Sequence, residues 1–108
     1  MTGKEFVKHC FDEKEFILKQ YFSGNSESSV GELLSELIQS GADREQLRKL
    51  VDTVMTDSFY TILLGLDGAT SLGGEQVTYK LYDEDGSLLN ECGELEESAY
   101  EFFIGDEE

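Results

Sequence analysis

The apolar positions of this chain change period from about 3.6 residues to 2 near residue 76 and return to helical spacing after Gly93. Upstream of that point the pattern predicts helices. Over residues 3–23, Phe6, Cys10, Ile17 and Tyr21 form one stripe, and Val7, Phe11, Leu18 and Phe22 form a second beside it. Two adjacent stripes predict a central helix touched from more than one side. Ser23 to Ser28 is a polar turn. Ser29 and Glu32 have capping-box spacing, and Val30, Leu33, Leu34, Leu37 and Ile38 follow at i, i+3, i+4, i+7 and i+8. Gly41 is a stop signal. Asp43, with Gln46 three residues on, opens a third helix carrying Leu47, Leu50, Val51, Val54 and Met55. Phe59, Ile62, Leu63 and Leu66 keep the same phase, so this helix is expected to run to about residue 66. A buried strand over 59–65 is the alternative.

Downstream, the glycine-rich stretch Asp67 to Glu75 reads as a loop. Val77, Tyr79 and Leu81 then alternate with Thr78, Lys80 and Tyr82, which predicts a strand. Asp83-Glu84-Asp85-Gly86 is a turn, and Leu88 to Cys92 is expected to return as the second strand of a hairpin. Leu95, Ala99, Phe102 and Phe103 predict a short final helix over 94–103, and Gly105 to Glu108 form an acidic tail. The expected fold is therefore α+β: a three-helix core with a C-terminal β-hairpin and a short final helix, in one domain over residues 1–108. The hairpin would bury its Val77/Tyr79/Leu81 face on the helices, because a two-stranded hairpin is marginal alone.

Charge changes the picture most. The chain carries 24 acidic and 8 basic residues, a net charge of −16. Residues 1–50 hold 7 basic and 9 acidic residues, a balance of −2. Residues 51–108 hold one basic residue, Lys80, and 15 acidic ones, a balance of −14. Such asymmetry suits a surface that meets a basic protein, with encounter accelerated by the field. It argues against direct binding to nucleic acid phosphates, since no basic stripe exists. No apolar run is long enough for a membrane span or a secretory leader, so the expected setting is cytoplasmic, with Cys10 and Cys92 as free thiols.

The candidate chemistry is thin. An EF-hand loop through Asp83, Asp85 and Gly86, with Glu91 downstream, would put Leu81 and Cys92 at its first and twelfth positions, where ligands are required. Gly68 to Gly74 lacks the Lys-Ser/Thr of a phosphate loop. His9, the single histidine, neighbours Cys10 on a helix, where adjacent side chains diverge by about 100°. The expectation is a protein without enzymatic activity, cofactor or metal. Tyrosine among carboxylates is an interface composition. Tyr82, on the outer face of the hairpin, is the favoured aromatic contact. Tyr79, Phe102 and Phe103 are expected in the core.

The runs Asp57 to Gly68, Ser71 to Gly74, Tyr79 to Gly86 and Ala99 to Phe102 together resemble small acidic stand-alone bacterial proteins. Some of these resemble immunity proteins of toxin–immunity pairs. That resemblance implies a cytosolic protein that neutralises a basic toxin, often a nuclease. The expected contact residues are Tyr82, Asp83, Glu84, Asp85, Glu94, Glu96 and Glu97. The competing readings are a nucleic-acid mimic or regulatory adaptor bound to a basic bacterial protein, and a structural homodimer paired through the hairpin edge. The chain would be a monomer or a homodimer.

Overall fold

The structure is a computed structural model, and it describes residues 1–105. Among these residues the chain forms four helices: α1 (Gly3–Tyr21), α2 (Ser29–Gln39), α3 (Arg44–Leu66) and α4 (Glu94–Ala99). A 3₁₀ turn, Glu91–Gly93, leads into α4, and a wider π-helical turn, Tyr100–Ile104, continues from it. The end of the acidic tail, residues 106–108, lies outside the described residues.

The helix starts follow local chemistry. The Thr2 hydroxyl accepts from the Glu5 N–H, and the Glu5 carboxylate accepts from the Thr2 N–H, which closes a capping box at the start of α1. The cap of α2 is Ser28, one residue earlier than the spacing predicted; its hydroxyl accepts from the Gly31 N–H. Asp43 caps α3 through the Gln46 N–H, as expected. The helix also runs unbroken through residues 59–65, so the strand alternative there is excluded.

The core is split in two along α1. At one end Val7, Leu63, Leu95, Ala99 and Phe103 are buried together. Here the Phe103 ring meets Phe11 edge-on at 5.3 Å and stacks on Phe59 at 5.9 Å. At the other end Leu18, Phe22 and Leu34 are buried against Leu47, Val51 and Met55. The Arg44 guanidinium closes that end by donating to the Phe22 carbonyl at 2.8 Å. The result is a bar of 48 × 30 × 29 Å with a radius of gyration of 16.2 Å. A compact chain of this length would measure about 13 Å.

Between the two clusters sits Lys14, only 3 % exposed. Its Nζ lies 2.7 Å from Asp52, 2.8 Å from Glu15 and 3.3 Å from the Thr56 hydroxyl. Burial works against this charge, but the hydrogen bonds to Asp52 and Glu15 outweigh it and hold the ammonium above its ordinary value. The lysine is therefore charged at neutral pH, and its contribution is lost only as pH rises past the ordinary lysine range. Replacing Lys14 by alanine is expected to cost about 2 kcal/mol, through a cavity and a stranded Asp52. Lys14→Met keeps the volume but strands Asp52 equally, so in urea denaturation it is expected to be destabilised too, by about 1 kcal/mol less than Lys14→Ala, the difference being the cavity share.

The α+β expectation is overturned. No strand forms among the described residues, and 67–90 is a long connection of turns, touched by two isolated bridges, Leu72 with Glu75 and Tyr82 with Leu88. The chain does reverse at Asp83–Gly86, but no ladder grows from the reversal. The physical reason is Asn90, 7 % exposed. Its Oδ1 accepts from the Leu81 N–H at 2.9 Å, and its Nδ2 donates to the carbonyls of Tyr79, at 2.6 Å, and Leu66, at 3.1 Å. One side chain thus takes the main-chain partners that a second strand would have supplied. The alternating residues also lack a sheet face to bury: Val77 and Tyr79 stay exposed, and only Leu81 reaches the core.

Candidate functional site

Three acidic residues from later segments, Asp83, Glu94 and Glu101, converge on the N-terminal turn of α1. Three of its donors meet carboxylates from distant parts of the chain. The Met1 ammonium contacts Asp83 at 3.2 Å, the Gly3 N–H donates to Glu94 at 3.1 Å, and Lys4 pairs with Glu101 at 3.2 Å. A helix N-terminus exposes unpaired N–H groups and the positive end of the helix dipole, so carboxylates are favoured there. This end therefore gathers two acidic segments that are separate in sequence.

The first segment is the turn at Asp83. Its Oδ1 accepts from the N–H groups of Asp85 and Ser87, both at 2.9 Å, while Oδ2 takes the Met1 ammonium. Gly86 completes the turn at φ +84°, where a Cβ would be strained. Glu84, Asp85 and Tyr82 are left exposed, with Tyr82 at 55 %. Hydrogen bonding, first from Ser87, holds the Asp83 carboxyl below its usual range. Its bond to Asp83 raises the Met1 ammonium above its usual value. The contact should therefore stabilise the fold between about pH 4 and pH 8 and fade at both ends of that window. It is lost on acidification through the lowered carboxyl value and at high pH through the raised amine value. The melting-temperature gap between the parent and Asp83→Ala is expected to be widest near pH 6 and to narrow by pH 3. A gap that stays constant across that range would contradict this assignment.

The second segment is a groove of about 480 Å³ between the start of α1 and α4, lined by Lys4, Glu91, Cys92, Glu94, Glu97 and Glu101 among others. Glu94, Glu97 and Glu101 share one face at i, i+3 and i+7. Cys92, at the floor turn, holds φ +53°. His9 is exposed on α1 and does not line this groove. Glu96 stands outside it on α4; its N–H donates to Asp67 at 2.8 Å, which secures the start of that helix.

The seven expected contact residues thus divide by burial. Tyr82, Glu84, Asp85, Glu96 and Glu97 are exposed, whereas Asp83 and Glu94 are half-buried and hold the N-terminal turn of α1 in place. Glu91, Glu101 and Lys4 join the same end of the molecule and were not among the expected residues. The helical spacing of Glu94, Glu97 and Glu101 signals their common face; nothing local signals that α1 borders it. Of the aromatic residues, Phe103 is buried and Phe102 half-buried as expected, but Tyr79 is 38 % exposed. Comparison with protein-family models, curated proteins and solved structures returns no match. Among the described residues, no helix is long and apolar enough to cross a membrane.

Proposed function

We propose that this chain is a small protein-binding domain that engages a basic partner, in the manner of an immunity protein covering the cationic site of a toxin such as a nuclease. The observation that carries this reading is the set of exposed carboxylates, Glu84, Asp85, Glu91, Glu96 and Glu97, gathered near one end of an elongated body beside exposed Tyr82. None of the five forms an ion pair among the described residues. Carboxylates without internal partners keep their field available for a cation, and an exposed tyrosine supplies a rigid apolar anchor within the charged rim.

The test spares Asp83, which holds its own turn. Glu84→Lys combined with Asp85→Lys is expected to slow association with a captured basic partner about 10-fold and to flatten its dependence on salt. A matched reversal on α2, Glu32→Lys with Glu36→Lys, changes the net charge equally at exposed sites on another element. If both double variants slow association alike, the acidic end has no special role and the reading fails.

A further inference from the structure

We infer that the apolar groove between α1 and α3 receives an amphipathic helix of that same basic partner, with the helix's lysine or arginine residues at the end nearest the acidic turn. This inference rests on the function proposed above. Phe6 and Cys10 on α1 face Phe59, Ile62, Leu63 and Leu66 on α3 across a groove of about 310 Å³, with Ser58 at its mouth. No charged side chain lines it. Ile62 lies 52 % exposed within it, an apolar surface left open to water in a chain that is 30 % charged. From Ser58 to Leu66 the groove follows α3 for about 12 Å. That length fits two turns of a docked helix with anchors at i, i+3 or i+4, and i+7.

Two observations select the occupant. The first is continuity with the acidic end. Phe6 is one turn from the Met1–Asp83 ion pair, its N–H bonded to the Thr2 carbonyl at 3.0 Å. At the same end the Leu66 carbonyl accepts from the Tyr79 N–H, at 3.2 Å, and from Asn90. A helix lying in the groove therefore reaches the segment that carries Tyr82, Glu84 and Asp85. The second observation is charge. Asp57 flanks the mouth beside Ser58 and Ile62, and a second copy of this chain would bring another net charge of −16 against it. Apolar contact in the groove with cationic contact at its end suits a basic amphipathic helix and disfavours self-association.

The two thiols lie in the two different grooves, Cys10 in the apolar one and Cys92 in the acidic one. Each can report occupancy by its rate of alkylation. The probes are two 14-residue helical peptides with leucine at i, i+3, i+4 and i+7, one carrying three lysines at one end and the other three glutamates in their place. The lysine peptide is expected to bind at least 10-fold more tightly by fluorescence anisotropy and to slow alkylation of Cys10 at least 5-fold. Ile62→Glu should weaken this binding about 10-fold. Ser58→Lys, at an exposed position that packing does not constrain, should weaken it in the same direction. Protection of Cys92 without Cys10, with loss of binding only in the Glu84→Lys/Asp85→Lys variant, would overturn the groove and leave the acidic surface standing. Equal affinity for the two peptides, binding of neither, or protection of Cys10 by dimerisation of the chain alone would each overturn the inference.

Discussion

Asn90→Leu is expected to lower the stability of this protein by about 4 kcal/mol, enough to move its melting temperature by about 20 °C. Leucine branches at Cγ as asparagine does but is bulkier, so overpacking adds to the lost hydrogen bonding. The Leu66 carbonyl keeps the Tyr79 N–H as a donor. The Leu81 N–H and the Tyr79 carbonyl lose the Asn90 partner that each has in the parent. A main-chain group left unpaired away from water costs roughly 1–3 kcal/mol, and two part-buried ones lose a partner here. Asn90→Asp separates the donor and acceptor roles. It keeps an acceptor for Leu81 but turns an oxygen toward two carbonyls, so its carboxylate is disfavoured in the folded state and its folded pKa lies above the unfolded value. The sign of linkage then makes Asn90→Asp least stable, relative to the parent, above that range, with part of the deficit recovered as pH falls and the acid becomes a donor. Thermal denaturation at pH 4 and pH 7 reads this directly. An Asn90→Leu protein as stable as the parent would show that 67–90 holds its path by other means.

The second large effect is at Gly3. Helix propensity alone favours alanine over glycine by up to about 1 kcal/mol, yet Gly3→Ala is expected to cost about 3 kcal/mol. Gly3 is buried, and a Cβ there would overlap the Leu89 carbonyl oxygen and approach Glu94 Oε1 to 2.6 Å. The main obstacle is backbone, which cannot swing aside as a side chain can. Relief requires the start of α1 to move, which breaks the bond from Gly3 to Glu94 and pulls Met1 from Asp83. Gly65→Ala is the control. Its Cβ would overlap Cγ and Cδ2 of Leu72, a half-buried loop side chain that must shift as a whole, but it would meet no backbone atom. A cost of about 1 kcal/mol, smaller than at Gly3, is expected there. If Gly3→Ala proves as mild as Gly65→Ala, the close approach of α1 to Leu89 is not required by the fold. Both variants can be compared by urea denaturation, with amide exchange at Asp85 and Ser87 reporting whether the Asp83 turn loosens.

Both variants act on the same end of the molecule as the proposed binding surface, but through different contacts. Asn90 fixes the path of the chain into the acidic turn, and Gly3 fixes the approach of α1 to that turn and to α4. Loss of either is expected to blur the surface without removing one of its exposed carboxylates. A binding defect in these variants therefore tracks stability, whereas one in Glu84→Lys/Asp85→Lys does not.

The sequence by itself determined the elements whose causes are local. The cap at Asp43, the 3.6-residue phase running from Leu47 to Leu66, and the common face of Glu94, Glu97 and Glu101 all involve groups within one or two turns of each other; the cap of α2 is as local, though it falls at Ser28 and not at Ser29. The turn at Asp83–Gly86 belongs with them, because Asp83 bonds to main-chain groups two and four residues ahead. What followed that turn was decided by tertiary structure. Alternation of Val77, Tyr79 and Leu81 is compatible with a strand, but a strand needs a partner's main chain, and here the Asn90 side chain bonds the Leu81 N–H and the Tyr79 carbonyl instead. Lys14 falls on the Val7–Phe11–Leu18 stripe of its helix, and only the approach of Asp52 and Thr56 on α3 makes its burial tolerable. The acidic end likewise depends on α1, since Glu94 and Glu101 find Gly3 and Lys4 more than ninety residues away along the chain. Short-range hydrogen bonds and periodicity act whatever the rest of the molecule does, whereas these contacts exist only once the helices have packed.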